Sequence, residues 1–256
     1  MNAPALAVET APLSTLPVRF SHLRAYGRSA LHGQHARLVE MDPTYAMQRG
    51  TAVHALLLGG RKVCGYPGKV RNGKQYDAFV AEHADCEILT SAEYEKACRM
   101  ADAVRASELA MSVLQGDVEQ TLRFRWMGLD CRATPDVRGP NYLTELKCSA
   151  SSDPVRFPWH ALRMHYHAQM RMQQIACGSE PDGLECFVVC VEDKAPYPVT
   201  VFRMEPRALE AGGKLLVLWA ERLKNSEASQ NWPGYVQCIA PIDVPDEETE
   251  LIFGEE

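Results

Sequence analysis

The chain has 256 residues, 46% apolar and 23% charged, an ordinary globular balance with enough material for one sizeable core. It holds no run of about 18 apolar residues, and its opening MNAPALAVETAPLSTLP lacks a basic start and breaks its short apolar stretches with proline, so neither a membrane partner nor an export signal is expected. The net charge of -6 would disfavour phosphate-bearing partners, but seven of the 33 acids lie in IDVPDEETELIFGEE, leaving 27 bases against 26 acids elsewhere, so a nucleic acid is not excluded.

In chain order, residues 1–17 read as an unstructured N-terminus, residues 18–241 as one domain and residues 242–256 as an acidic, solubilising tail whose Leu251, Ile252 and Phe253 leave room for docking. FSHLRAY offers Ser21 as the N-cap of a first helix. MQRGTAVHALLLGG predicts a second, with Val53, Leu56 and Leu57 spaced for burial and Gly59-Gly60 as its stop. RKVCGYPGKVRNGK, residues 61–74, carries five bases and no acid and reads as a solvated loop. SAEYEKACRMADAVRASELAMSVLQG predicts one long helix or two, from Ser91 to Gly116. The period then changes to two: EQTLRFRWMGLDCRATPDV reads as a hairpin turning at Met127-Gly128, and NYLTELKCS as a third strand of a central meander. WHALRMHYHAQMRMQQIACG returns to helical spacing, GLECFVVCVED and PVTVFRM are two further strands, and PRALEAGGKLLVLWAERLKN is a closing helix. This order describes an α/β or α+β sandwich, a central mixed sheet flanked by helices. The nine cysteines lack paired spacing and, with no export signal, read as reduced thiols of a cytoplasmic protein.

Chemistry concentrates in TPDVRGPNYLTELKCS. In a strand, residues two apart face the same way, so Glu145 and Lys147 project together while Leu146 points into the core. Asp136, at the end of the preceding strand, comes back beside Glu145 through the turn RGPN. Two converging carboxylates suit Mg²⁺, and a neighbouring ammonium can orient water or offset charge on a phosphate. The pattern is also short, and a Glu-x-Lys pair is often no more than an exposed strand face. Tyr166, Gln169 and Gln173 fall at i, i+3 and i+7, a polar stripe where a core helix would carry apolar groups. Glu119 reads equally as a site acid or a solvated helix end, and His160, His165 and His167 as surface residues.

Taken together, these segments resemble the PD-(D/E)XK nucleases, and within them the RecE-type and lambda-exonuclease-like enzymes of phage recombination. FSHLRAY is similar to their opening helix, RGTAVHALLL to their helix with a conserved Gly and His, TPDVRGPNYLTELKCS to their metal strand pair and MHYHAQMRMQQ to the helix that follows. The resemblance implies a restriction-endonuclease-like core in which His54, Asp136, Glu145 and the Leu146 carbonyl hold Mg²⁺, with Mn²⁺ as a substitute. It makes Asp136, Glu145, Lys147 and Gln169 the catalytic set and Tyr166, Gln169, Gln173 and Arg49 the substrate contacts. It further implies an exonuclease acting on double-stranded DNA ends, a ring-like trimer or tetramer, and a single-strand annealing protein as partner. An endonuclease of the same fold and a catalytically silent DNA-binding module are the alternatives. Of the cysteines, Cys186-x3-Cys190 is locally paired but no tight triplet forms, so no iron-sulfur cluster is expected.

Overall fold

A computed structural model describes residues 17–39, 43–68, 70–235 and 238–239, so the acidic tail and all but Pro17 of the N-terminal segment lie outside the described residues. The first helix, α1 (Phe20–Arg28), starts two positions earlier than a Ser21 cap would set: Arg19 is the N-cap, its backbone N–H donating to His22 Nδ1 at 3.3 Å, and Ser21 lies inside the helix. Ser29 then caps a helix absent from the sequence reading, α2 (Ala30–Leu38), by accepting from the His32 backbone N–H. Helix α3 (Tyr45–Leu58) is capped by Thr44 and stopped by Gly59, whose φ of +86° suits a residue without a side chain.

The basic run is not a loop throughout. Strand β1 (Lys62–Tyr66) pairs in parallel with β2 (Cys86–Thr90), and α4 (Lys74–Glu82) connects them. Much of the charge is consumed locally, for Arg61 pairs with Glu87, Lys62 with Asp85 and Arg71 with Glu93. A Thr90–Glu93 capping box opens α5 (Ser91–Arg105), and α6 (Glu108–Val113) follows after Ser107.

Next come β3 (Asp117–Val118), the hairpin β4 (Leu122–Trp126) and β5 (Leu129–Ala133), β6 (Val137–Arg138), β7 (Tyr142–Ser149), α7 (Phe157–Arg163), α8 (Tyr166–Ala176), β8 (Glu185–Glu192), β9 (Val199–Arg203) and α9 (Pro206–Ser229). The hairpin turns at Met127 and Gly128, both at positive φ, but stands as its own two-stranded pair rather than in a meander. The central sheet has the order β3-β6-β7-β8-β9, with β7 and β8 parallel and the other neighbours antiparallel. The molecule is therefore the mixed α/β architecture expected, a central mixed sheet flanked by helices. No helix among the described residues is long and apolar enough to cross a membrane.

The alternation of β7 sets up everything that follows. Leu146 packs with Val53 of α3, Met100 of α5 and Val113 of α6, while Leu143, on the opposite face, packs with Phe157 and Ala161 of α7 and Met170 of α8. Glu145 and Lys147 continue the Leu143 face, so the chain places two charged groups where α8 covers the sheet. Helix α9 is drawn close over α8 at Gly212, where a Cβ would come within 2.6 Å of the His167 carbonyl oxygen. That close contact anchors the helix carrying Gln169 and Gln173.

Candidate active site

Asp136 lies in the bend between β5 and β6 and so opens the short strand instead of ending the longer one before it. Pairing of Val137 with Thr144 brings it beside β7, where its Oδ2 accepts the Leu146 backbone N–H at 2.7 Å. Glu145 is buried, and its carboxylate faces α8. Oε2 accepts from Lys147 Nζ at 2.6 Å and Gln169 Nε2 at 2.8 Å, and Oε1 accepts from Gln173 Nε2. The Lys147 ammonium also reaches Gln169 Oε1 at 3.4 Å and sits 4.9 Å from the centre of the Tyr166 ring. The polar stripe of α8 thus meets the charged face of β7. Burial alone would lower the Lys147 pKa, but the Glu145 and Asp136 charges outweigh it and hold the group above its ordinary range, charged at any neutral pH.

Across the strand, α3 delivers His54. Its Nε2–H donates to the Leu146 carbonyl oxygen at 2.9 Å, and its Nδ1 stands 3.6 Å from Asp136 Oδ1. Burial first, and then the Lys147 ammonium, push the imidazole below its ordinary range, so it is neutral near pH 7. With the proton on Nε2, the Nδ1 lone pair faces the oxygen of a carboxyl group. Asp136 is itself pushed well up, by burial first and then by the Glu145 charge. A lone pair facing a buried carboxyl, beside a second carboxylate, is a donor set that a divalent cation would relieve. Among the described residues, however, no three His, Cys, Asp or Glu side chains surround one common point, because Glu145 is turned toward Lys147 and the two glutamines. The fit is therefore one of chemistry, with His54 and Asp136 already adjacent and Glu145 held behind them.

Glu119, which the sequence left undecided, belongs here. At a positive φ of 47°, its backbone N–H donates to the Asp136 carbonyl oxygen at 3.0 Å, and it lines a cleft of about 310 Å³ with Thr51, His54, Ala55, Gly59 and Arg61. Its charge bears on both His54 and Asp136. Only its place just ahead of a strand hinted at this.

Arg49 is not brought to the cluster. Though it shares α3 with His54, it pairs with Asp193 at 2.7 Å, near Lys96. The histidines also differ from expectation. His167 is buried, and the other two are half buried, His165 stacked on Trp219 with ring centres 5.2 Å apart and His160 edge-on to Tyr166.

A profile of the PDDEXK-like domain of unknown function (DUF3799) matches residues 19–242, nearly the whole described chain. The chain belongs to that family. Membership of a PDDEXK-like family agrees with the resemblance drawn from the sequence. A presumptive exonuclease from Eubacterium rectale has a similar crystal structure, 13% identical, with 100% of each chain covered and a TM-score of 0.63, which shows a shared fold. An alkaline exonuclease from Laribacter hongkongensis is also similar, at 13% identity over 84% of this chain and 91% of its own, with a TM-score of 0.37. No curated protein matches the sequence.

Proposed function

We propose that this PDDEXK-like protein is a Mg²⁺-dependent deoxyribonuclease that hydrolyses linear double-stranded DNA from its ends. The observation that carries this reading is the gathering of Asp136, Glu145, Lys147 and His54 at one strand pair, backed by two glutamines that hold the Glu145 carboxylate in place. A cation held by His54 Nδ1, Asp136 and Glu145, with Mn²⁺ as a substitute for Mg²⁺, would supply positive charge to the scissile phosphate and acidify a nearby water. The protein's own groups do the remainder. Lys147 has three N–H donors and directs two at Glu145 and Gln169, so one is left to orient the attacking water or to offset charge on the phosphate. Gln169 bridges Glu145 and Lys147, fixing their spacing, and the Tyr166 ring supports the ammonium from its other side.

Incubation of the pure protein with linear and closed circular duplex, in Mg²⁺ or in chelator, tests the reading. Loss of linear DNA only with metal, and survival of circles, is the expected result. Nicked circles would make the enzyme an endonuclease with the same site, and intact linear DNA would overturn the proposal. The proposal extends to a ring-like trimer or tetramer, which would retain DNA topologically where one near-neutral body grips weakly, and which works beside a single-strand annealing protein. Light scattering should give at least three times the 28.5 kDa chain mass. A monomer would remove the ring.

His54→Ala should weaken Mn²⁺ binding, followed by titration calorimetry, by at least the roughly 10–100-fold that even a supporting residue of a metal site is worth. Unchanged binding would make His54 a structural residue bracing the Leu146 carbonyl.

A further inference from the structure

Helix α7 has one face with no structural task. Phe157 and Ala161 point inward, the former stacked on Phe202 with ring centres 4.6 Å apart, and His160 turns sideways to place its ring edge-on to Tyr166, 6.1 Å away. The outward face is formed by Arg156, Trp159 and Arg163, at i, i+3 and i+7, with Leu162 beside them. The Trp159 indole is 75% exposed, whereas Trp219 is buried and Trp126 and Trp232 are half buried. Leaving so large an apolar ring in water forgoes burial that would stabilise the fold. Its neighbours are cationic: no carboxylate lies within ion-pair distance of the Arg156 or Arg163 guanidinium among the described residues. Asp153, the acid at the head of the helix, is occupied by the Val155 and Arg156 backbone N–H groups at 2.7 and 3.0 Å.

This face is linked to the reaction centre through neighbouring rings. Trp159 adjoins His160, His160 abuts Tyr166, and Tyr166 underlies the Lys147 ammonium. We propose that Trp159 is a stacking platform for a base of the DNA strand lying next to the scissile phosphate, with Arg156 and Arg163 holding the phosphates on either side of that base. The inference rests on the nuclease reading and deepens it by naming a binding subsite. The occupant follows from the chemistry. Val155 and Leu162 are exposed near the indole as well, but the guanidinium groups of Arg156 and Arg163, which form no ion pair among the described residues, decide the occupant: an aromatic plane flanked by two cations suits a chain in which flat rings alternate with anions. Because a base inside a duplex has both faces covered, the subsite selects a single-stranded or frayed end over a paired one.

Fluorescence anisotropy of a labelled single-stranded oligonucleotide, measured in chelator so that nothing is cut, tests the assignment. Trp159→Ala should weaken binding roughly five- to a hundredfold, the worth of one stacked base, while Trp159→Phe retains most of the affinity because a ring remains. Arg163→Ala should lower the dependence of log affinity on log salt by about one phosphate's share, roughly 0.7 for a single strand. Since the indole is solvent-exposed, the Ala variant should melt with the wild type. Equal affinity of wild type and Trp159→Ala for the oligonucleotide, in a protein that does cut DNA in Mg²⁺, would overturn the platform and leave the nuclease reading standing. Trp159-dependent binding in a protein that cuts nothing would do the reverse.

Discussion

Asp136→Asn should abolish DNA hydrolysis, by about three orders of magnitude or more, while leaving the protein folded. The factor follows from the several kcal/mol of charge stabilisation that a positioned cation supplies, at 1.36 kcal/mol per tenfold. Folding survives because the structural duty of Asp136, accepting the Leu146 N–H at 2.7 Å, passes to the amide oxygen of Asn. In chelator the variant should be the more stable of the two. Burial and the Glu145 charge raise the Asp136 carboxyl above its unfolded value, so what it adds to stability is full below that unfolded value and is lost as pH climbs through the folded one. A neutral amide removes that loss, and at neutral pH the melting temperature should rise by about 2–4 °C, on the order of 1 kcal/mol for a chain of this size. Glu145→Gln should be equally inactive but less stable. Its carboxylate accepts from Lys147, Gln169 and Gln173, and an amide has one oxygen for those donors and presents its own N–H groups to the rest. Unsatisfied buried donors cost roughly 1–3 kcal/mol. Full activity in either variant would remove the acid pair from the reaction, and equal stability of the two would mean that the glutamines do not hold Glu145.

The different costs of these two substitutions show where the sequence was informative. That Glu145 and Lys147 share a face follows from the two-residue period of an extended strand, and that Leu146 is core follows from the same rule; the fold obeys both. Gly59 as a helix stop and Met127-Gly128 as a tight turn are local backbone chemistry, and they are where expected. Partners distant in sequence carry no such local mark. Nothing near Arg49 announces Asp193, 144 residues on, and nothing near Gln173 announces that its amide ends on Glu145. Of the elements that went unseen, β3 and β6 have two residues each, too few for a period to register, while β1 and β2, with five each, and α2 and α4, with nine each, also went unread. His165 and His167 show a related limit, since histidine suits surface and interior alike and only the packing of α9 over α8 decides between them.

Lys147→Met separates binding from chemistry, and it should lower turnover by roughly two to three orders of magnitude with DNA affinity nearly intact. The side chain keeps much of its length, so it can still lie over Tyr166, but it loses the donor that no protein acceptor occupies. Removing the ammonium also leaves the buried Glu145 carboxylate with two amide donors and no compensating charge. Loss of binding together with turnover would instead make Lys147 an anchor for the DNA phosphate, and an undiminished rate would exclude it from the chemistry.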